Sequence, residues 1–308
     1  MKVKILIPVI IIIVVVSFVN LHDRSYTLKI KVNPLPSPIN ICTEAQRKRE
    51  EWGEAHYTKW DDVRFLKRKD GIFDSIASNK NHPRSLSRMW MRHPTRFTKQ
   101  ILGMKQAEFD LIGPVTYDCP LKTFGKGDEE KRVCWQKMFM NPECTVFSLG
   151  SNNQWTFEED VLKKTKCKVY TFDCTVKNPN PPPGVHFYSI CVGKISYIDT
   201  ETGYIFKTID DILRLVLVAQ PTYLKIDIEG CEFETLIPYL RGLALPPQIA
   251  IEIHYQAPTF DLDETALLAF GNFMFYEAGY VIAHRRDNWM GYFASEFLFV
   301  KINCAVNN

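Results

Sequence analysis

The second half of the chain alternates between two hydrophobic periods. Segments with apolar residues at every second position predict strands, and segments with apolar residues every three or four positions predict helices. Strands are predicted at 145–149, 167–172, 185–192, 204–206, 223–229, 248–254, 280–284 and 296–302, and helices at 155–164, 208–219, 231–240 and 262–278. This order predicts an α/β domain with a mainly parallel sheet and helices on both faces. Because no helix separates the last two strands, they are expected to form an antiparallel edge.

Two acidic residues stand where a predicted strand passes into a helix. Asp227 and Glu229 end the strand at 223–229, and Gly230 follows at once. Ligands of open α/β sheets bind outside the carboxyl ends of the strands, so both carboxylates are site candidates. The alternative is that Asp227 caps the next helix and Glu229 points to solvent. His254 ends the following strand, and it joins Glu229 as a candidate general base, although a core or capping role is the competing interpretation.

A glycine and an acid mark the ends of the first two strands of this half. Gly150 follows the first strand, and Asp173 follows the second, 23 residues later. In dinucleotide-type folds, an acid about 20 residues past the glycine turn binds ribose hydroxyls. The turn after Gly150 lacks the second and third glycines that a pyrophosphate needs. A ribose without a pyrophosphate indicates S-adenosylmethionine rather than NAD.

Three segments, at 146–158, 170–173 and 224–232, resemble the methyltransferase-like protein 24 family, and the last is also similar to FkbM-type methyltransferases. The resemblance covers roughly 115–302 and implies a class I Rossmann-like methyltransferase with a seven-stranded sheet and S-adenosylmethionine as cofactor. It places the Gly150 turn at the methionine part of the cofactor, Asp173 at the ribose, and Asp227 at the cofactor amine or the reacting centre. The cofactor-binding set is then Leu149, Gly150, Ser151, Asn152, Asp173, Cys174 and Asp227, and the catalytic set is Asp227, Glu229 and His254.

The N-terminus has the pattern of a targeting segment. Lys2 and Lys4 precede an apolar run over 5–19, which is shorter than the roughly 20 residues of a spanning helix. It suits a signal peptide or a short signal-anchor. We expect a single-pass membrane protein with its domain in the secretory lumen, or alternatively a secreted protein. The predicted divisions are 1–26 for the anchor or signal peptide, 27–112 for a stem and helical extension, and 113–308 for the methyltransferase-like domain.

Composition limits the partners, disulfides and metal sites that the chain can be expected to have. The 308 residues are 46% hydrophobic and carry a net charge of +3, which is too weak to indicate nucleic acid as a partner. Nine cysteines leave at least one thiol free or paired between chains. Cys119 could form a disulfide with Cys134, with Cys144 as a competing partner. No C-x-x-C or H-E-x-x-H spacing occurs, so we expect no structural zinc site and assign no metal ligands.

The sequence therefore predicts an S-adenosylmethionine-dependent methyltransferase. Its acceptor is unknown, and a glycan, a lipid or a secreted protein fits a luminal location. Two other functions remain open. One is a catalytically inactive S-adenosylmethionine-binding or interaction protein on the same fold, which the glycine-poor turn supports. The other is a type II membrane glycosyltransferase that uses Asp227 and Glu229 as an acidic metal motif.

Overall fold

The computed structural model describes residues 42–49, 51, 106–242, 245–254, 264–288 and 294–302. The strands are β1 (Leu121–Phe124), β2 (Lys131–Cys134), β3 (Thr145–Leu149), β4 (Lys168–Phe172), β5 (Val185–Tyr188), β6 (Cys191–Val192), β7 (Tyr197–Ile198), β8 (Ile205–Lys207), β9 (Tyr223–Ile226), β10 (Gln248–His254), β11 (Tyr280–Asp287) and β12 (Ala294–Lys301). The helices are α1 (42–49), α2 (Thr156–Lys164), α3 (Ile209–Leu215), α4 (Glu232–Leu240) and α5 (Glu264–Asn272). A 3₁₀ helix covers Gln106–Ile112, and a π-helical turn, Phe273–Glu277, continues α5.

Seven strands form one sheet in the order β11-β12-β10-β9-β3-β4-β5. The pairs β3–β4, β4–β5, β3–β9 and β9–β10 are parallel, whereas β12 pairs antiparallel with both β10 and β11. The predicted parallel sheet with an antiparallel edge is therefore confirmed. From β3 the chain winds outward to β4 and β5, then returns to β9 on the other side of β3. This reversal places a ligand crevice between β3 and β9.

The two faces of the sheet pack against different layers. Phe147, Leu224 and Ile251 face one core, to which α3, α4 and α5 contribute the side chains Ile212, Leu236 and Phe270. The neighbouring strand positions Val146, Tyr223 and Ala250 face the opposite core, to which α2 contributes Phe157 and Val161 and the β1–β2 hairpin contributes Phe124 and Val133. The alternation along each strand explains how a short apolar strand serves two cores at once.

Several parts of the chain differ from the sequence-based expectations. Residues 121–134, to which no strand is assigned from the sequence, form the β1–β2 hairpin. The strand predicted at 185–192 divides into β5 and β6, because the Ile190 amide donates back to the Tyr188 carbonyl and β6 pairs with β8 outside the main sheet. The helix predicted at 208–219 is capped by the Thr208 hydroxyl, which accepts from the Asp211 amide at 3.1 Å, and it ends at Leu215.

Disulfides fasten these layers. Where the structure describes both partners, they join Cys119 to Cys134, Cys144 to Cys167, and Cys174 to Cys191. The first of these confirms one of the two predicted pairings, and Cys144 pairs elsewhere. Among the described residues, Cys231 is a free thiol.

The predicted N-terminal anchor, 1–26, lies outside the described residues, as does most of the stem and helical extension. Within the predicted stem and helical extension, the structure describes α1, residue 51 and the segment 106–112. Within the part of the chain that the structure describes, no helix is long and apolar enough to cross a membrane.

Candidate functional site

The ends of β3 and β9 meet at Gly150 and Asp227. The Asp227 amide donates to the Leu149 carbonyl at 2.9 Å, so the two strand ends run side by side. Gly150 has a φ of +83°, and a Cβ added there would lie 1.8 Å from the Asp227 carbonyl oxygen. Only glycine fits this contact. Leu149 is fully buried in the sheet, so it can serve a ligand only through its backbone.

Asp173 binds the turn that follows Gly150. Its Oδ2 accepts hydrogen bonds from the Ser151 and Asn152 amides, both at 2.8 Å, and lies 3.4 Å from the Ser151 hydroxyl. Its Oδ1 accepts from the Thr175 amide at 2.8 Å and hydroxyl at 2.6 Å. Burial would raise the pKa of Asp173, but these donors lower it. Both oxygens are thus occupied by the protein, and Asp173 fixes the turn that was predicted to face the cofactor.

Cys174, the next residue, is held in the disulfide with Cys191. The bond ties the loop after β4 to β6. Its thiol is therefore unavailable as a ligand, and its contribution to the site is to position the loop.

Two buried lysines neutralise the strand ends. Lys131 of the hairpin, 1% exposed, forms ion pairs with Asp227, at 3.1 Å, and with Glu296. Lys225 of β9, 0% exposed, donates to the Gly150 carbonyl and lies 3.4 Å from Glu129. Burial would raise the pKa of Asp227, but Lys131 and Lys225, together with His254, hold it well below its usual range. Asp227 is therefore an ionised anchor and a poor general base.

Glu229 and His254 lie together, as their strand ends predict. Strand β9 stops at Ile226, and Glu229 sits in the following turn with a φ of +55°, a strained conformation for a residue with a side chain. Its carboxylate is 60% exposed and lies 3.6 Å from His254 Nε2. His254 Nδ1 contacts Glu232 at 3.1 Å. Burial opposes a charged imidazole, but Glu232, with Glu252 and Glu229, raises the pKa of His254 to about 10.

Several residues of this network were not predicted from the sequence. Glu252 lies on β10 two residues before His254, and burial raises its pKa. Burial also raises the pKa of Glu296 to about 7, although Lys131 opposes this effect. The polar positions within the apolar strands 223–229 and 248–254 were a usable signal for Lys225 and Glu252. Nothing local to Lys131 indicates that it reaches Asp227.

Residues 60–301 match the family described as Methyltransferase domain. The match covers well over half of the chain, so the chain belongs to this methyltransferase family. Membership identifies S-adenosylmethionine as the cofactor. It supports a methyltransferase fold and gives no support to the glycosyltransferase alternative.

Solved structures give more distant similarities. The chain is 17% identical to methyltransferase FkbM from Methylobacillus flagellatus, with a TM-score of 0.37, over 51% of this chain and 44% of that one. It thus spans less than half of that protein's length. It is 9% identical to fibrillarin from Aeropyrum pernix, which was solved with S-adenosyl-L-methionine, over 62% of this chain and 86% of that one, with a TM-score of 0.34. None of the curated proteins compared with the chain matches it.

The residues at the strand ends fit this cofactor. The crevice holds a hydroxyl at Ser151 and carboxylates at Asp227 and Glu229, which suit the amine and hydroxyl groups of an amino-acid nucleoside. The turn offers only Gly150 where a pyrophosphate would need several glycine amides. The donor set therefore suits a methyl donor without phosphates.

Proposed function

We propose that this methyltransferase, similar to the methyltransferase-like protein 24 type, methylates a hydroxyl or carboxyl group of a glycan, a lipid or a secreted protein. The observation that carries the proposal is the convergence of the Gly150 turn with Asp227, Glu229 and His254 at the β3–β9 crevice. The cofactor side and a base for the acceptor then share one edge of the sheet.

The bound cofactor supplies an electrophilic methyl group on a sulfonium. The Gly150 turn, held by Asp173, and the ionised Asp227 bind the cofactor. Glu229 is the general base, because its carboxylate is exposed and can receive the acceptor proton. His254, oriented by Glu232, lies 3.6 Å from that carboxylate. Fixing donor and acceptor in line lowers the barrier by reducing the entropy lost in reaching the transition state.

The disulfides support an oxidising compartment for this reaction. Three bridges within the described residues alone are rare for a protein of the reducing cytosol. Together with the basic and apolar pattern at 1–26, they favour a domain that faces the secretory lumen, anchored by its N-terminal segment, or a secreted form. The acceptor classes follow from this location.

The test uses two glycine variants of the purified full-length chain. Gly150→Ala places a Cβ 1.8 Å from the Asp227 carbonyl oxygen, so the β3 and β9 ends must separate. Gly203→Ala is the matched control: its φ is +74°, and no atom lies within 4 Å of the added Cβ. Both variants carry the same backbone strain of about 1–2 kcal/mol, and only the first disturbs the crevice.

Binding is measured by calorimetry and by ultraviolet crosslinking of radiolabelled S-adenosylmethionine, with thermal unfolding as the check on folding. We expect Gly203→Ala to bind as the unaltered chain does and Gly150→Ala to bind at least tenfold more weakly. If Gly150→Ala does not fold, Asp173→Asn replaces it, since it removes the charge that holds the turn and keeps the side chain's shape. A folded crevice variant with unchanged affinity would refute the assignment of the site.

A second candidate is an S-adenosylmethionine-binding protein without turnover. The observation that favours it is that Asp173 occupies the Ser151 and Asn152 amides, which leaves the turn few donors for a ligand. Cofactor binding without methyl transfer to glycan, lipid and protein fractions of a secretory extract would support this second function and contradict catalysis.

A further inference from the structure

Three side chains from two neighbouring strands converge beside the crevice. Asp227 follows β9, and Glu252 and His254 lie on β10; one ligand atom from each lies within 4.8 Å of the other two. His254 Nε2 lies 3.9 Å from Glu252 Oε2. In an octahedral site with ligand atoms at about 2.1 Å from the ion, two of these atoms are about 3.0 Å apart when adjacent and about 4.2 Å apart when opposite. The three atoms are therefore close to the spacing of one coordination sphere.

Each of the three side chains is also held through its other polar atom. Lys131 pairs with Asp227 Oδ2 at 3.1 Å, and Asn288 donates to Glu252 Oε1 at 2.7 Å. His254 Nδ1 contacts Glu232 Oε1 at 3.1 Å. A histidine that binds a metal almost always donates its second ring N–H to a carboxylate or carbonyl, which fixes the ring. The contact between His254 Nδ1 and Glu232 has this arrangement. It supports a metal site separately from the clustering of acidic residues.

The charge around the three side chains is unbalanced. Among the residues that the structure describes, five carboxylates lie in or around the cluster, while the cationic groups near them are Lys131, Lys225, His254 and, at the rim, Arg286, which lies 3.9 Å from Glu296. The carboxylates are Asp227, Glu229, Glu232, Glu252 and Glu296. Glu232 is 1% exposed, and its Oε2 has no hydrogen-bond partner among the residues that the structure describes. A buried carboxylate oxygen without a partner is costly, and a divalent cation would offset that cost.

We propose that Asp227, Glu252 and His254 bind one divalent cation, with Glu232 as the positioning residue for His254. Two carboxylates and an imidazole suit Mn²⁺ or Zn²⁺ better than an all-oxygen Mg²⁺ or Ca²⁺ site. The consequence rests on the proposed function: an ion at this place, next to Glu229, would bind the acceptor oxygen and lower its pKa. Asp227 follows β9, whereas Glu252 and His254 lie on β10, so no single local motif contains all three ligands.

The test measures metal binding directly. Tag-free full-length protein is stripped with a chelator and titrated with MnCl₂, and the paramagnetic resonance signal of free Mn²⁺ reports binding. We expect one Mn²⁺ per chain, at least a tenfold loss of affinity in Glu252→Gln and His254→Gln, and a loss of about 10- to 100-fold in Glu232→Gln, in line with other residues that orient ligands.

Glu129→Gln is the matched control, because Glu129 is a buried acid of the same face that pairs with Lys225 and lies outside the three ligands. It should keep Mn²⁺ affinity within twofold. Thermal unfolding shows which variants fold, and Glu252→Asp, which keeps the charge, serves if Glu252→Gln does not. Absence of Mn²⁺ binding by the unaltered protein, or equal affinity in folded ligand variants, would overturn the proposal.

The cation site and the proposed function can fail separately. S-adenosylmethionine affinity is measured on the same chelated and Mn²⁺-loaded samples. Methyl transfer that proceeds undiminished after chelation would refute the proposed action of the cation on the acceptor and leave the methyltransferase function intact. Mn²⁺ binding without S-adenosylmethionine binding would support the cation site and refute the proposed function.

Discussion

Replacing Glu129 by glutamine should change how stability depends on pH. Glu129 is 6% exposed in the segment that connects β1 to β2, and burial raises its pKa to about 7, although Lys225 opposes this effect. A carboxyl group whose folded pKa lies above its unfolded value of 4.5 is ionised more readily in the unfolded chain. Its contribution to stability is therefore complete below pH 4.5 and is lost as the pH rises through 7. Glu129→Gln, which resembles the neutral form, lacks this loss.

The size of the effect follows from the two pKa values. Each pKa unit between the folded and unfolded states is worth about 1.4 kcal/mol, so the unaltered chain should lose about 2.5 kcal/mol through this group between pH 5 and pH 8. Urea unfolding at four pH values, with the disulfides intact, measures the difference between variant and unaltered chain. That difference should grow by about 2.5 kcal/mol in favour of Glu129→Gln. Glu143→Gln, on the surface, is the control. Parallel curves for Glu129→Gln and the unaltered chain would show that Glu129 is ionised without penalty.

Two further predictions concern stability. Lys131→Met leaves the buried carboxylates of Asp227 and Glu296 without their shared cation, so the free energy of unfolding should fall by about 3–5 kcal/mol; a loss under 1 kcal/mol in urea unfolding would contradict the importance of the pair. Replacing Cys144 and Cys167 together by serine opens a loop closed across 23 residues, which should cost about 3.4 kcal/mol by loss of chain constraint and lower the unfolding midpoint. An unchanged midpoint would show that the strand pairing alone holds this loop.

The main sheet could be predicted because the spacing of hydrophobic residues along each strand reflects which side chains are buried. The strand predicted at 248–254 has the same bounds in the structure, since every one of its residues is buried and the run is long. The strand predicted at 223–229 stops three residues early. Its alternating pattern continues through Asp227 and Glu229, but Glu229 adopts a positive φ that no strand can hold. Period alone does not distinguish a strand from a turn that happens to alternate.

The hairpin and its lysine could not be predicted in the same way. Strands β1 and β2 have four residues each, and the charged run 128–132, which extends into the start of β2, is typical of a solvated loop. Lys131 lies 96 residues before Asp227, so their contact depends on how the hairpin folds over the sheet. A long-range ion pair of this kind has no local signature, and the sequence offered none.

Asp173 shows that spacing along the sequence can predict where a residue lies but not which groups it contacts. Its sequence separation from Gly150 predicted that Asp173 lies beside the turn, and it does. Its carboxylate, however, already accepts from three backbone amides, those of Ser151, Asn152 and Thr175. The ribose role therefore remains a prediction that requires one of these bonds to be shared or exchanged. Asp173→Asn removes the charge and one of the two acceptor oxygens, so it weakens both the hold on the turn and any ribose contact.

These contacts bear on how a turn with a single glycine can still serve a cofactor. Glycine-rich turns bind ligands because bare backbone approaches closely, but such turns lose much conformational entropy when they order. Here the Gly150 turn is ordered before any ligand arrives, by Asp173 on one side and by Lys225 on the Gly150 carbonyl on the other. A site that is already ordered pays less of this cost on binding. The absence of further glycines is therefore compatible with cofactor binding. In a glycine-rich turn the ligand itself orders the backbone, whereas here charged side chains order it beforehand.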